Sequence, residues 1–104
     1  MKPRPIAFQR IASAALDRAD IIVRRWLPTG QREGAEWVCK NPKRVDRRTG
    51  SFKVNLVTGR WGDFATGDRG GDLVSLAAYL FGLSQAAAAL KIADMIGIEP
   101  HETR

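Results

Sequence analysis

Apolar residues recur at helical spacing near the start of the chain. Within residues 7–25, "AFQRIASAALDRADIIVRR", Phe8, Ile11, Ala15 and Ile22 follow a period of three to four residues. This period predicts one or two helices. The "PTG" sequence that follows, with its proline and glycine, ends them.

The middle of the chain changes to the period of two that is typical of strands. "TGQREG" is interpreted as a turn, and "AEWVCK" predicts a short strand in which Trp37 and Cys39 alternate with polar neighbours. "NPKRVDRRTG" follows as a basic loop. "SFKVNLVTGRWGDF" then predicts a hairpin that turns at Thr58-Gly59.

Alternation in the first hairpin strand assigns its side chains to two faces of a sheet. Phe52, Val54 and Leu56 share one face, so Lys53 and Asn55 must point to the other. Together with the strand before it, the hairpin predicts a three-stranded antiparallel sheet.

The last third of the chain carries the start and stop signals of two helices. Asp72 can cap "LVSLAAYLF", which Gly82 ends, and Ser84 can cap "QAAAALKIADMI", which Gly97 ends. The alanine-rich faces of these helices permit close packing. The apolar residues predicted to supply the core are Leu73, Leu76, Leu80, Leu90, Ile92 and Ile96.

These elements predict an α+β fold in a single domain spanning residues 1–104. Residues 1–28 form an N-terminal helical segment, 29–67 the sheet, 68–98 a helical hairpin and 99–104 a tail. A chain of this length can bury one modest core. The glycine-rich stretch 59–72 also contains Trp61 and Phe64, which are too large and apolar for an ordinary loop, so we expect both in the core.

Composition narrows the class of protein. Hydrophobic residues make up 44% of the sequence, which argues against disorder, and no apolar run approaches the roughly 20 residues of a membrane span. The first residues do not have the pattern of a secretory signal, so we expect a cytoplasmic protein. The single cysteine, Cys39, can form neither an internal disulfide nor, alone, a structural zinc site.

Positive charge is concentrated in the middle of the chain. The formal net charge is +6, and between residues 24 and 60 only Glu33, Glu36 and Asp46 oppose the basic residues. Such an excess favours a polyanionic partner, with a solvated surface as the alternative. The basic residues in this range are Arg24, Arg25, Arg32, Lys40, Lys43, Arg44, Arg47, Arg48, Lys53 and Arg60.

The sequence offers no catalytic constellation. The only histidine, His101, lies in the tail, and Cys39 has no neighbouring base that would activate it. Asp63, Asp68 and Asp72 are an alternative Mg²⁺ cluster, but Asp72 is better placed as a helix cap and the other two as turn formers or partners of nearby arginines. We therefore expect no catalytic residues, no metal and no cofactor in this chain.

The order of these parts resembles the N-terminal zinc-ribbon domain of bacterial and phage DNA primases, over roughly Ile21 to Ile98. The matching residues are Ser51-Phe52, Gly70-Gly71-Asp72 and the pattern from Leu83-Ser84 to Gly97-Ile98. In that family a Cys-x-x-His pair and a Cys-x-x-Cys pair hold one zinc ion.

This sequence departs from the family at the zinc ligands. Cys39 falls at the first cysteine, Pro42 occupies the histidine position, and Phe64 and Gly67 fall at or beside the last two ligands. The resemblance therefore implies a degenerate, zinc-independent ribbon. A structural zinc stabilises small domains strongly, and the aromatic residues Trp37, Trp61 and Phe64 are expected to fill its place.

The resemblance implies a DNA-binding module of a primase or primase-helicase, acting in DNA replication for a phage or mobile element. Its partner would be nucleic acid, with single-stranded DNA first, and possible further partners are a polymerase or a helicase. The predicted binding residues are Lys40, Lys43, Arg44, Arg47, Arg48, Lys53 and Arg60, with an exposed Trp26 or Trp61 as a base-stacking residue. The alternative is an interaction or inhibitory protein that keeps the ribbon fold and docks a replication partner through the alanine-rich hairpin.

Overall fold

The computed structural model describes residues 4–43 and 51–103. Within these residues four helices and five strands follow one another, with two helices before the strands and two after them. The helices are α1 (Phe8–Leu16), α2 (Ala19–Trp26), α3 (Leu73–Phe81) and α4 (Gln85–Ile96). The strands are β1 (Gln31–Glu33), β2 (Glu36–Cys39), β3 (Phe52–Asn55), β4 (Trp61–Asp63) and β5 (Arg69–Gly70).

The strands form one antiparallel sheet in the order β1-β2-β3-β4-β5. The predicted α+β class and the three predicted strands, β2 to β4, are confirmed, and an edge strand is added on each side. β1 lies within the segment interpreted as a turn. The sequence does not predict it as a strand because all three of its residues are polar and exposed and so show no alternation. The turn itself is narrower and centres on Gly34, whose φ is +63°.

The N-terminal segment forms two helices rather than one. They break at Asp17 and Arg18, and α2 begins without a side-chain cap. Of the apolar stripe predicted from the sequence, Ile11 and Ala15 of α1 and Ile22 of α2 are buried, whereas Phe8, in the first turn of α1, is exposed.

The final residues are paired with the start of the chain. The backbone N–H of Ala7 donates to Pro100 O, and that of Glu102 donates to Pro5 O. Arg10 then donates to the carbonyl oxygens of Glu99 and His101, both at 2.7 Å. The segment predicted as a tail therefore joins the two ends of the chain.

The helical hairpin has the caps that its sequence predicts. Asp72 accepts a hydrogen bond from Ser75 N, and the Ser75 side chain completes a capping box. Ser84 caps α4 by accepting from Ala87 N. Gly82 and Gly97 end the two helices in the left-handed conformation, with φ of +64° and +75°.

The core lies between the inner face of the sheet and the four helices α1 to α4. Leu73, Leu76 and Ile92 are buried as predicted, but Leu90 is exposed because the buried stripe of α4 consists largely of alanines. Ala88, Ala89 and Ala93 are fully buried. These three alanines of α4 therefore pack inside the molecule.

Among the described residues no single helix is long and apolar enough to cross a membrane. By length and composition alone, the bent pair of α3 and α4 passes that test together.

Candidate nucleic-acid interface

One face of the sheet is turned to the core, and the other is partly open to solvent, since Val38, opposite Lys53 on that face, is buried. Trp37, Phe52, Val54 and Trp61 point inward and are buried. On the outer face, register places Lys53 of β3 opposite Gly62 of β4, and Gly62 opposite Arg69 of β5. Two cationic residues thus flank a position without a side chain.

A groove on this outer face occupies about 370 Å³. We call it the sheet groove. Among the described residues its lining includes the cations Lys53, Arg60 and Arg69 and one carboxylate, that of Glu36, so these residues give it a positive charge. The other lining residues are Asn55, Thr58, Trp61, Gly62 and Phe64.

Phe64 lies on the outer face, and its predicted place in the core is wrong. β4 ends at Asp63, and Phe64 follows it three positions after Trp61, so continued alternation directs the two side chains to opposite faces. Trp61 is 6% exposed, whereas Phe64 is 77% exposed. Lys53 Nζ lies over the Phe64 ring, 5.4 Å from its centre, so a cation and an exposed aromatic side chain lie together on this face.

The predicted binding residues do not all reach this groove. Lys53 and Arg60 line it, whereas Lys40 and Lys43 are exposed but lie outside its lining. Lys43 Nζ donates to Tyr79 O at 2.7 Å, so its ammonium is directed toward α3. Arg44, Arg47 and Arg48 fall outside the described residues.

Two lining residues, Phe64 and Arg69, were absent from the predicted set. The alternation in "WGDF" carried the signal for Phe64, because Gly62 and Phe64 share the face opposite Trp61. No local pattern marks Arg69, since β5 has two residues and joins the sheet only through its pairing with β4.

Trp61 fixes the groove to the helical layer beneath it. Its indole Nε1 donates to Ser75 Oγ at 2.9 Å, in the first turn of α3. A Cβ on Gly70 would lie 2.4 Å from Trp61 Nε1 and 2.3 Å from Ser75 Oγ, so only glycine fits there. The packing around Trp61 and Ser75 therefore explains why the first residue of the "GGD" sequence, Gly70, is a glycine.

The edge of the inner face near Cys39 contains a polar cluster. Asn41 Nδ2 donates to Asp63 Oδ2 and to the Tyr79 hydroxyl, both at 2.8 Å, and Asn41 and Asp63 are buried. The Tyr79 hydroxyl in turn donates to Asp68 Oδ2 at 2.9 Å. Burial, reinforced by the Asp68 carboxylate, raises the pKa of Tyr79, so its hydroxyl remains a donor.

The thiol of Cys39 is fully buried beside this cluster. Burial raises its pKa from 9.0 to about 11, because the apolar surroundings disfavour the thiolate. A thiolate is the form that attacks electrophiles and binds metals, and at neutral pH this side chain is a thiol.

The three carboxylates that the sequence indicated as an alternative Mg²⁺ cluster have separate structural roles. Asp63 contacts Asn41, Asp68 accepts from Tyr79, and Asp72 caps α3. Across residues 4–43 and 51–103, no group of three or more His, Cys, Asp or Glu side chains is arranged to hold a metal ion.

Comparison with solved structures identifies a fold relative. The chain matches the crystal structure of the zinc-binding and RNA polymerase domains of the primase from Aquifex aeolicus, with a TM-score of 0.75 and 18% sequence identity. The match covers 88% of this chain and 22% of that chain. No protein-family model and no curated protein matches the sequence. The chain therefore has a fold like that of a primase zinc-binding domain.

Proposed function

We propose that this protein is a nucleic-acid-binding module of a DNA primase or primase-helicase of a phage or mobile element. It binds single-stranded template DNA without zinc, in the cytoplasm. The observation that carries the proposal is the sheet groove, where Lys53, Arg60 and Arg69 surround a gap beside the exposed ring of Phe64. The fold likeness to a primase supports the replication context.

The groove has the two features that single-strand binders combine. Cationic side chains attract the phosphate backbone, and an open aromatic ring stacks on a base whatever its identity. Gly62 supplies the space between Lys53 and Arg69, because its lack of a side chain lets a strand lie close to the sheet. An unpaired strand can present both its phosphates and the flat side of a base to this surface, whereas a duplex keeps its bases stacked.

We assign no catalytic residue for primer synthesis among the described side chains. We assign it to a separate catalytic domain or a partner polymerase, which the chain serves by holding the template. Lys40, Lys43, Arg44, Arg47 and Arg48 stay predicted phosphate-binding residues on the strength of their charge in the sequence.

Anisotropy titrations with labelled single-stranded DNA, duplex DNA and RNA test the proposal. Two lysines provide a matched pair, since Lys53 lies over Phe64 at 5.4 Å and Lys91 lies over Phe81 at 5.1 Å, but only Lys53 lines the sheet groove. We expect K53Q to weaken single-strand binding several-fold, by about 1 kcal/mol or less for one phosphate contact in salt. K91Q should leave it unchanged.

Two outcomes would overturn the proposal. One is the absence of binding to any of the three nucleic acids at low salt, which would favour the interaction or inhibitory protein. The other is an equal loss of affinity in K53Q and K91Q, which would mean that binding follows net charge rather than the groove.

A further inference from the structure

A second groove lies on the helical side of the molecule, between α2 and the C-terminal half of α4. It consists of two adjoining cavities of about 510 and 270 Å³, which share Arg25 and Met95. We call it the helical groove. Its apolar lining residues are Ile21, Ile22, Trp26, Phe81, Met95 and Ile96.

Large apolar side chains stand open to solvent along this groove. Ile21 is 70% exposed, Phe81 42% and Met95 38%. Single exposed apolar residues need no explanation, but a run of them lining one groove is typical of an interaction site. None of these residues lines the sheet groove.

The charged residues of the helical groove are mostly basic. Arg18, Arg25 and Lys91 line it against one carboxylate, Asp94. In the part of the chain that the structure describes, neither Arg25 nor Lys91 has a carboxylate within 4.0 Å. Their charges are therefore available to an incoming ligand.

From this combination we propose that the helical groove binds an amphipathic helix of a partner protein, with apolar side chains on one face and acidic residues beside them. A helix laid into an apolar groove is an established mode of recognition, and acidic residues complement the basic rim. A second copy of this chain is disfavoured as the occupant, because each copy carries a formal charge of +6.

Nucleic acid fits this groove less well than it fits the sheet groove. A lysine lies over one phenylalanine ring in each groove, but Phe81 packs against Trp26 at 5.5 Å and is 42% exposed, whereas Phe64 in the sheet groove is 77% exposed. Trp26, the other ring in this groove, is half-buried, and the remaining apolar lining residues carry no ring on which a base could stack. The proposal does not depend on template binding at the sheet.

A displayed library of helical peptides tests the proposal. Peptides of about 16 residues span some 24 Å, with Leu, Ile, Met or Phe at every third or fourth position and Glu, Lys, Gln or Ser between them. We expect selection on the protein to enrich Glu beside the apolar positions. A selected peptide should bind about tenfold more weakly when its Glu residues are replaced by Lys.

Two variants with the same change of charge localise the binding. I21E places a carboxylate in the helical groove, and V57E places one on a side chain that is 67% exposed in the hairpin turn, outside either groove. Both sites are exposed, so both variants should fold like the parent. I21E should weaken the selected peptide about tenfold or more, and V57E by less than about twofold.

Several results would overturn the proposal. They are a selection that enriches no peptide, equal enrichment of Glu and Lys, and equal effects of I21E and V57E. Sedimentation that shows a dimer in the parent but not in I21E would make a second copy the occupant. Loss of single-stranded DNA binding in I21E would make nucleic acid the occupant of the helical groove. As a control, K53Q should leave peptide binding unchanged.

Discussion

Trp61 and Ser75 join the sheet to the helical layer through one hydrogen bond, from the indole Nε1 to the hydroxyl oxygen at 2.9 Å. Ser75 Oγ also donates to Asp72 O at 2.9 Å within the capping box of α3. The inner face of β4 and the start of α3 are thereby held in one arrangement, beneath the groove that we assign to template DNA.

Trp61→Ala and Phe64→Ala should differ sharply in stability. The first empties a buried site and should lower the free energy of unfolding by about 3–5 kcal/mol. The second removes an exposed ring and should change it by no more than about 0.5 kcal/mol. Thermal and denaturant melts measure both, and similar losses would contradict the assignment of the two rings to opposite faces.

Adjacent glycines give a second matched comparison. A Cβ on Gly70 meets Trp61 and Ser75 well inside contact distance, whereas a Cβ on Gly71 has nothing within 4 Å. Gly70→Ala should therefore cost about 1–3 kcal/mol through overpacking, and Gly71→Ala almost nothing. Equal melting temperatures for the two variants would show that the packing around Ser75 can yield.

The salt dependence of DNA binding should separate charge from stacking. Neutralising Lys53 and Arg69 together should make the log–log slope of affinity against salt shallower by about 0.7 for each phosphate that the protein no longer neutralises. Phe64→Ala should instead weaken binding by roughly 1–3 kcal/mol, with a nearly unchanged slope. Titrations at several salt concentrations measure both quantities. A change of slope in Phe64→Ala would contradict a stacking role.

Metal removal should leave the fold intact. Cys39 is the one residue that matches any of the four family ligands, and a hydrogen bond of 2.8 Å joins Asn41, two residues further along, to Asp63. We expect elemental analysis to find no stoichiometric zinc and chelator to leave the melting curve unchanged. Asn41→Ala should lower stability by about 1–3 kcal/mol, because it removes a buried donor from Asp63 and Tyr79. Unfolding in chelator would contradict zinc independence.

Cys39 should make stability fall at alkaline pH. Its pKa is raised from 9.0 to about 11 in the folded chain. Its contribution to stability is therefore complete below pH 9, and it is lost as the pH rises from 9 to 11, where the unfolded chain has released the proton and the folded chain still holds it. Denaturant melts across this range measure the effect. Cys39→Ser should remove this pH dependence and lower the free energy of unfolding by about 1–2 kcal/mol. Rapid alkylation of native Cys39 at neutral pH would contradict the burial of its thiol.

Patterns within single segments determined the parts of this protein that local chemistry controls. The caps Asp72 and Ser84, the ends at Gly82 and Gly97 and the central strands all follow from residue type and spacing. Strand alternation likewise separates Phe52 from Lys53. These features depend on neighbours in the chain, so they can be predicted from the sequence.

Tertiary structure decided the features that depend on pairing between distant segments. β1 and β5 are short and lack alternation, so only hydrogen bonds to β2 and β4 make them strands. Pairing also brings Arg69 into line with Lys53, and packing selects the alanines of α4 over Leu90 for burial. The helical groove likewise exists only where α2 and α4 meet, because the burial of each side chain is set by partners far away in the sequence.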